Sequence, residues 1–401
     1  MYYARTIKTQ IVEALNHFPV VLLTGARQVG KSTLALDLME NYVTLDDINI
    51  YSSLQADPSA FIKSLTKPVA IDEIQKVPEL LGAIKLNVDR NRVNGSYLLT
   101  GSANIMAYKK VVDTLAGRIA LLELLPLSCR ELNGREENLL DLLFERQVDQ
   151  LTPEENKVNT FNRVLSGGYP EIHKIDSLRG RYQWFSSYIS TYIERDIRDI
   201  GELRNLDKFI RMYKMLSSRS GNLLNKSEIS RDAGINQKTV ENYLELLKLI
   251  YQVVVLKPYS VNVDKQITKT GKLFFTDSGI LCHLLGISMD EDFTNSPYKG
   301  GIFETFVFSE LYKAVTYSER PTELYFFRNV ENREIDFIVE RGNGIIAIEV
   351  KLSQTVRKED FKQIHYLRGK VNNFRGGYLF YAGDKILPFG DDLYALPVSC
   401  L

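Results

Sequence analysis

Two groups of residues in this 401-residue chain have the types and spacing to do chemistry. The first is Gly25-Ala26-Arg27-Gln28-Val29-Gly30-Lys31-Ser32-Thr33, in which two glycines frame a turn that ends in a lysine and a hydroxyl. A triphosphate is polyanionic, and such a loop offers it backbone N–H groups with no side chains in the way. Lys31 is placed to neutralise the β- and γ-phosphates and Ser32 Oγ to ligate Mg2+, so ATP and Mg2+ are the expected cofactors. Asp72 and Glu73 end the run VAIDE: Asp72 would hold the metal shell while Glu73 polarises the attacking water. Ser102 closes SYLLTGS, where a hydroxyl would contact the γ-phosphate or the water. Arg118, in LAGRIALLEL, would offer a guanidinium to a γ-phosphate in the same or a neighbouring subunit. Each reading has a plainer counterpart: solvated loop carboxylates, a strand-end hydroxyl, a surface arginine.

The second group lies near the end of the chain. Glu304 stands near the start of the amphipathic GGIFETFVFSEL, Asp336 inside REIDFIVE, and Glu349 and Lys351 inside GIIAIEVKLS. Period-two geometry puts Glu349 and Lys351 on one strand face, and RGNG, Arg341 to Gly344, reads as the turn of a hairpin that brings Asp336 alongside. Two carboxylates, Asp336 and Glu349, holding Mg2+, with a lysine to orient water, are what metal-dependent phosphodiester hydrolysis needs. An exposed salt-bridging Glu-x-Lys pair would read the same way.

The elements around these groups must position them. Phe18 to Thr24, Tyr42 to Asp46, Pro68 to Asp72, Ser96 to Gly101 and Ile119 to Leu125 are apolar, β-branched runs alternating with helical stretches, the pattern of a parallel sheet covered on both faces. From Leu127 to Ser217 the segments are longer and aromatic-rich. Leu139 to Lys157 is acidic and reads as helical or as a surface insertion, SGGYPEI is a glycine–proline break, and Tyr182 to Ile200 has the periodicity of a half-buried helix. NKSEISRDAGI and NQKTVENYLELLKLI read as a helix-turn-helix followed by a wing strand. A DNA reader of this kind would present Asn236, Gln237, Lys238, Thr239 and Asn242 to the major groove. Ser220 to Ser260 holds five basic and four acidic residues, however, too even a balance for strong non-specific DNA affinity.

Fifty basic residues balance fifty acidic ones, which excludes a chain coated in positive charge but not a local basic groove. Cys129, Cys282 and Cys400 are odd in number and unpatterned, and read as reduced thiols. No uncharged apolar run approaches the ~18 residues a bilayer span needs, and MYYARTIKTQ has no signal-peptide core. A cytoplasmic protein without a membrane partner is expected.

The motifs GARQVGKST, LDD (Leu45 to Asp47), VAIDEIQKVPELL, LLTGSAN, LAGR, LPLS and GGYPE, followed by YISTYIERDI, KTVENYLELLK and KLFFTDSGI, resemble those of prokaryotic AAA+-type P-loop ATPases with an uncharacterised C-terminal domain. The resemblance covers nearly the whole chain. It implies a P-loop NTPase core (AAA+/RecA-like, residues 1–126), a helical lid or linker (127–217), a winged helix-turn-helix (218–290) and an α/β restriction-endonuclease-like, PD-(D/E)xK, domain (291–401), whose motif positions Glu304, Asp336, Glu349 and Lys351 match. The implied function is ATP hydrolysis coupled to DNA binding or processing. The alternative is an ATP-dependent switch or assembly protein whose C-terminal domain binds a protein and cuts nothing, and a metabolic kinase is a weaker third. Homo-oligomerisation and the subunit in which Arg118 acts stay open.

Overall fold

The computed structural model describes residues 2–101, 115–153, 157–193, 197, 205–260 and 270–401. The apolar runs of the first third form a five-stranded parallel sheet: β1 (Val20–Thr24), β2 (Asn41–Thr44), β3 (Val69–Asp72), β4 (Tyr97–Thr100) and β5 (Ile119–Glu123), in the order β2-β3-β4-β1-β5. Alternation sorts their side chains onto two faces. Val21, Leu23, Ala70 and Leu98 join one core, and Val20, Leu22, Ile71 and Leu99 join the other. Helices Lys8–His17, Lys31–Leu38 and Leu80–Arg90 cover the sheet. Because every strand runs the same way, one edge collects all the C-terminal ends, and the loop after β1 opens there with Asp72 and Thr100.

Two sequence expectations for the middle segment change. The acidic stretch Leu139 to Lys157 is not a surface insertion throughout: Leu139, Leu140, Leu142 and Leu143 of helix Leu139–Phe144 are buried, because LLDLL turns its leucines inward. Tyr182 to Ile200 is not one uniform helix. The α-helix Leu178–Tyr188 passes into a π-helical turn, Ile189–Ile193, beyond which only Ile197 is described.

The second sheet has nine strands: β6 (Asn222–Leu223), β7 (Val253–Pro258), β8 (Lys272–Phe275), β9 (Thr322–Arg328), β10 (Glu334–Arg341), β11 (Gly344–Lys351), β12 (Phe374–Tyr381), β13 (Leu387–Gly390) and β14 (Leu393–Pro397), in the order β13-β14-β12-β11-β10-β9-β7-β8-β6. Lys257 and Pro258 of β7 pair in parallel with Tyr325 and Phe326 of β9. The boundary expected near residue 290 is therefore crossed by a continuous sheet. Pairing two otherwise open strand edges satisfies backbone groups that would be left unpaired apart.

Helix Lys299–Thr316 and the residue after it hold the strip that follows β5. Lys313 Nζ donates to Leu127 O (3.0 Å) and to Glu310 Oε1 (2.7 Å), Glu310 Oε2 accepts from Cys129 N (2.7 Å), and Tyr317 Oη accepts from Leu125 N (2.8 Å). The glycine–proline break packs at the same place. Leu127 N donates to Gly168 O, and Gly168 N donates to the buried Asp277 carboxylate. LPLS, GGYPE and the TDSG of the third unit thus meet as a structural junction.

Candidate functional site

The loop after β1 depends on its glycines. Gly25 has φ +139°, and a Cβ there would run into the carbonyl of Leu124; Gly30 has φ +101°, again in the left-handed half of backbone space. Lys31 opens helix Lys31–Leu38 and is buried, its ammonium curled back onto Gly25 O (2.9 Å) and Ala26 O (2.7 Å). Arg5 fastens the loop from outside, donating to Val29 O (2.7 Å), Leu125 O (2.6 Å) and Glu131 Oε1 (3.1 Å).

Across the strand ends, Asp72 is held from two sides. Tyr42 Oη donates to its Oδ2 (2.5 Å), and Thr100 Oγ1 donates to its Oδ1. Burial, and then the Asp72 carboxylate, raise the Tyr42 phenol well above its usual range. Glu73, next along the chain, takes the left-handed backbone conformation (φ +59°), unusual for a residue with a side chain, and accepts from Gln75 Nε2. A cavity of about 240 Å³ lies against this face, lined among others by Arg27, Lys31, Ser32, Glu73, Lys174 and Tyr192. The donors suit a metal–triphosphate: a glycine loop that admits no Cβ at its first position, an ammonium, and a hydroxyl beside a carboxylate. Ser32 and Asp72 would hold Mg2+ there. At the end of β5 the Glu123 carboxyl is pushed up to about 7 by burial, and it influences Tyr251 and Tyr312.

Gly25, Ala26, Arg27, Gln28, Val29, Gly30, Lys31, Ser32 and Thr33, with Asp72 and Glu73, thus converge on one edge. Ser102 lies outside the described residues. Arg118 does not join them. Its carbonyl pairs with Val20 N at the start of β1, so it sits at the opposite edge, one five-residue strand away, roughly 16 Å at ~3.3 Å per residue. There it is ion-paired with Asp89. A γ-phosphate contact by Arg118 within its own subunit is excluded by that placement, and a residue opening a parallel strand carried the signal. Tyr42, Thr100, Arg5, Lys174 and Tyr192 have no motif spacing and were not anticipated.

The C-terminal group assembles as the hairpin predicted: Arg341 pairs with Gly344 and Phe337 with Ile348, which sets Asp336 directly across from Glu349. Its chemistry differs from the expectation. Asp336 Oδ2 accepts from Val350 N (2.8 Å), and the Asp336 and Glu349 carboxyl groups lie close enough to influence each other's protonation. Burial foremost, with neighbouring carboxylates, pushes Glu304, Asp336 and Glu349 all above the usual carboxyl range. The cation in their midst is Lys272 of β8, whose Nζ stands 2.7 Å from Glu304 Oε1, 2.8 Å from Glu334 Oε1 and 4.0 Å from Asp336 Oδ1. Among the described residues no group of His, Cys, Asp or Glu is arranged to hold a metal ion. Asp336 thus has one oxygen on a backbone amide and Lys272 Nζ near the other. Lys351 lies at the end of β11, partly exposed.

In the helix pair, Lys226–Ala233 ends at Gly234 in the left-handed conformation and Gln237–Leu249 follows. Asn236 is occupied as the cap, its Oδ1 accepting from Thr239 N (2.8 Å) and Thr239 Oγ1, and Gln237 Nε2 donates to Ser227 Oγ (2.9 Å). Lys238 and Asn242 are exposed.

Residues 17–133 match the family model described as an AAA domain, residues 158–291 a domain of unknown function (DUF8612), and residues 299–401 another (DUF4143). The parallel sheet and the Gly25–Thr33 loop lie within the residues that match the AAA domain and agree with a P-loop fold there. An uncharacterized protein of Mycobacterium tuberculosis is 29% identical over 400 residues, covering 98% of this chain and 83% of that relative. One of Methanocaldococcus jannaschii is 24% identical over 386 residues, covering 90% and 81%. Among solved structures, a DNA replication initiation factor overlaps with TM-score 0.27 at 13% identity (61% of this chain, 91% of that one). The Aeropyrum pernix ORC1 protein in complex with DNA also gives 0.27 at 13% (71% and 93%). Overlaps this low carry no argument about function. Among the described residues no helix is long and apolar enough to cross a membrane.

Proposed function

We propose that this protein binds ATP with Mg2+, hydrolyses it, and uses the nucleotide state to move its helix-pair and C-terminal segments relative to a DNA partner. The observation that carries the reading is the cavity that Lys31, Ser32 and Glu73 line at the Gly25–Thr33 loop, next in the chain to an Asp72 held by Tyr42 and Thr100. Mg2+, when bound with ATP, would neutralise phosphate charge and orient the triphosphate. The chain's own groups do the rest. Loop N–H groups and the helix N-terminus bind phosphate oxygens. Lys31 exchanges the Gly25 and Ala26 carbonyls for the phosphates. Tyr42 and Thr100 keep Asp72 aimed at the metal position. Glu73, held by Gln75 in a strained backbone, accepts the proton of the attacking water.

The output path follows from packing. Arg5 ties Val29 of the loop to Leu125, and Lys313, Glu310 and Tyr317 grip Leu125 to Cys129, so a shift of the loop reaches helix Lys299–Thr316. The test is phosphate release by the full chain with and without single- and double-stranded DNA. Lys31→Ala should lower turnover by at least ~100-fold while the protein stays folded. If no DNA binds or changes turnover, the coupling to DNA fails. The second reading, a nucleotide-dependent switch with a protein partner and no cleavage, is favoured by Lys272 filling the C-terminal cluster.

A further inference from the structure

An ammonium that already neutralises a set of buried carboxylates leaves them little charge to offer a divalent metal. The Lys272 side chain is 4% exposed, yet it comes from β8, outside both the helix that carries Glu304 and the β10–β11 hairpin that carries Glu334 and Asp336. Two carboxylates contact its Nζ at hydrogen-bond distance, Glu304 at 2.7 Å and Glu334 at 2.8 Å, and Asp336 stands at 4.0 Å. Their remaining oxygens are largely spoken for. Glu334 Oε2 accepts from Arg328 (3.3 Å), and Asp336 Oδ2 from Val350 N (2.8 Å). Gly221 backs Glu304 so closely that a Cβ there would stand 3.2 Å from Oε2. The lysine's stem runs beside the Phe274 ring, its Nζ 5.7 Å from the centroid.

We propose that Lys272 Nζ is the resident cation of the Glu304, Glu334 and Asp336 cluster, beside the Asp336 carboxylate a metal nuclease would need for its divalent ion, so that this domain binds no catalytic metal and instead braces the helix-pair unit against the C-terminal sheet. Two features support the brace. The ion pairs join β8 to helix Lys299–Thr316 and to β10, and the β7–β9 pairing ties the same two units through their backbones. The assignment does not depend on the nucleotide site, and its failure would leave that reading untouched.

The experiment titrates Mn2+ into the nucleotide-free full chain, with free Mn2+ followed by electron paramagnetic resonance, alongside thermal melts. Wild type and Glu349→Gln should give the same titration, with no saturable site that depends on Glu349, and EDTA should leave Tm unchanged. Lys272→Met should lower Tm by roughly 6–10 °C, because it strands buried carboxylates without their cation. Adding Glu304→Gln to Lys272→Met should recover part of that loss, since a lone charge costs more than a neutral pair. A saturable Mn2+ site in wild type that Glu349→Gln removes overturns the proposal, whether or not Lys272→Met folds. So does a Lys272→Met protein that melts with wild type, or a double variant with no recovery.

Discussion

The N-terminal and C-terminal sites are each built from carboxylates and a buried lysine, and they differ in what that lysine touches. Lys31 donates to the Gly25 and Ala26 carbonyls at the mouth of its loop. Lys272 rests on two carboxylates of its own chain with a third nearby, so its charge is already matched. At the first site Asp72 is held by two hydroxyls, which orient it without neutralising it. At the second, Asp336 is held by a backbone amide and stands 4.0 Å from the Lys272 ammonium. Residue types suited to metal chemistry therefore take different roles according to what the fold sets against them, hydroxyls at one site and a buried ammonium at the other.

That contrast is open to attack in order of expected effect. Asp72→Asn should reduce Mg2+-dependent phosphate release by roughly 100-fold, since a carboxylate in the metal shell contributes several kcal/mol. A loss below tenfold would mean that Asp72, like Asp336, serves packing alone. Tyr42→Phe removes a charge-assisted bond to Asp72, and a three- to tenfold rise in the Mg2+ concentration for half-maximal turnover is expected, about 0.7–1.4 kcal/mol. An unchanged Mg2+ dependence would show that the hydroxyl positions nothing.

The smallest effect concerns Glu123. Its folded-state carboxyl is pushed up to about 7 by burial, against 4.5 ordinarily. Between those values the folded chain keeps a proton that the unfolded chain has lost, so this group takes stability away as pH rises, and the loss is complete above about pH 7. Glu123→Gln, which copies the neutral acid, should raise Tm by a few degrees at about pH 8 and by nothing near pH 4.5. Equal melting shifts at both ends would place the Glu123 side chain in water.

Much of this molecule is written locally. The β1 run, Gly25 and Gly30, the Lys31 helix and the strand carrying Asp72 followed from apolar patterning and backbone needs that act within about ten residues. The Arg341–Gly344 turn and the Asp336–Glu349 register were legible for the same reason. The placement of Arg118 was legible too, because a residue that opens a parallel strand must face away from the ends where the others finish.

Chain order determined which residues carry chemistry: the glycine loop with Lys31 and Ser32, the Asp72-Glu73 pair, and the hairpin acids. Tertiary structure alone decided which of them remain free to use it. Lys272 precedes Glu304 by 32 positions in the sequence and arrives through the pairing of β7 with β8 and with β9, while Tyr42 reaches Asp72 through the parallel pairing of β2 with β3. Short-range periodicity sets the face on which a side chain points, but whether its charge meets water, a ligand or an internal partner depends on contacts closed by the whole fold.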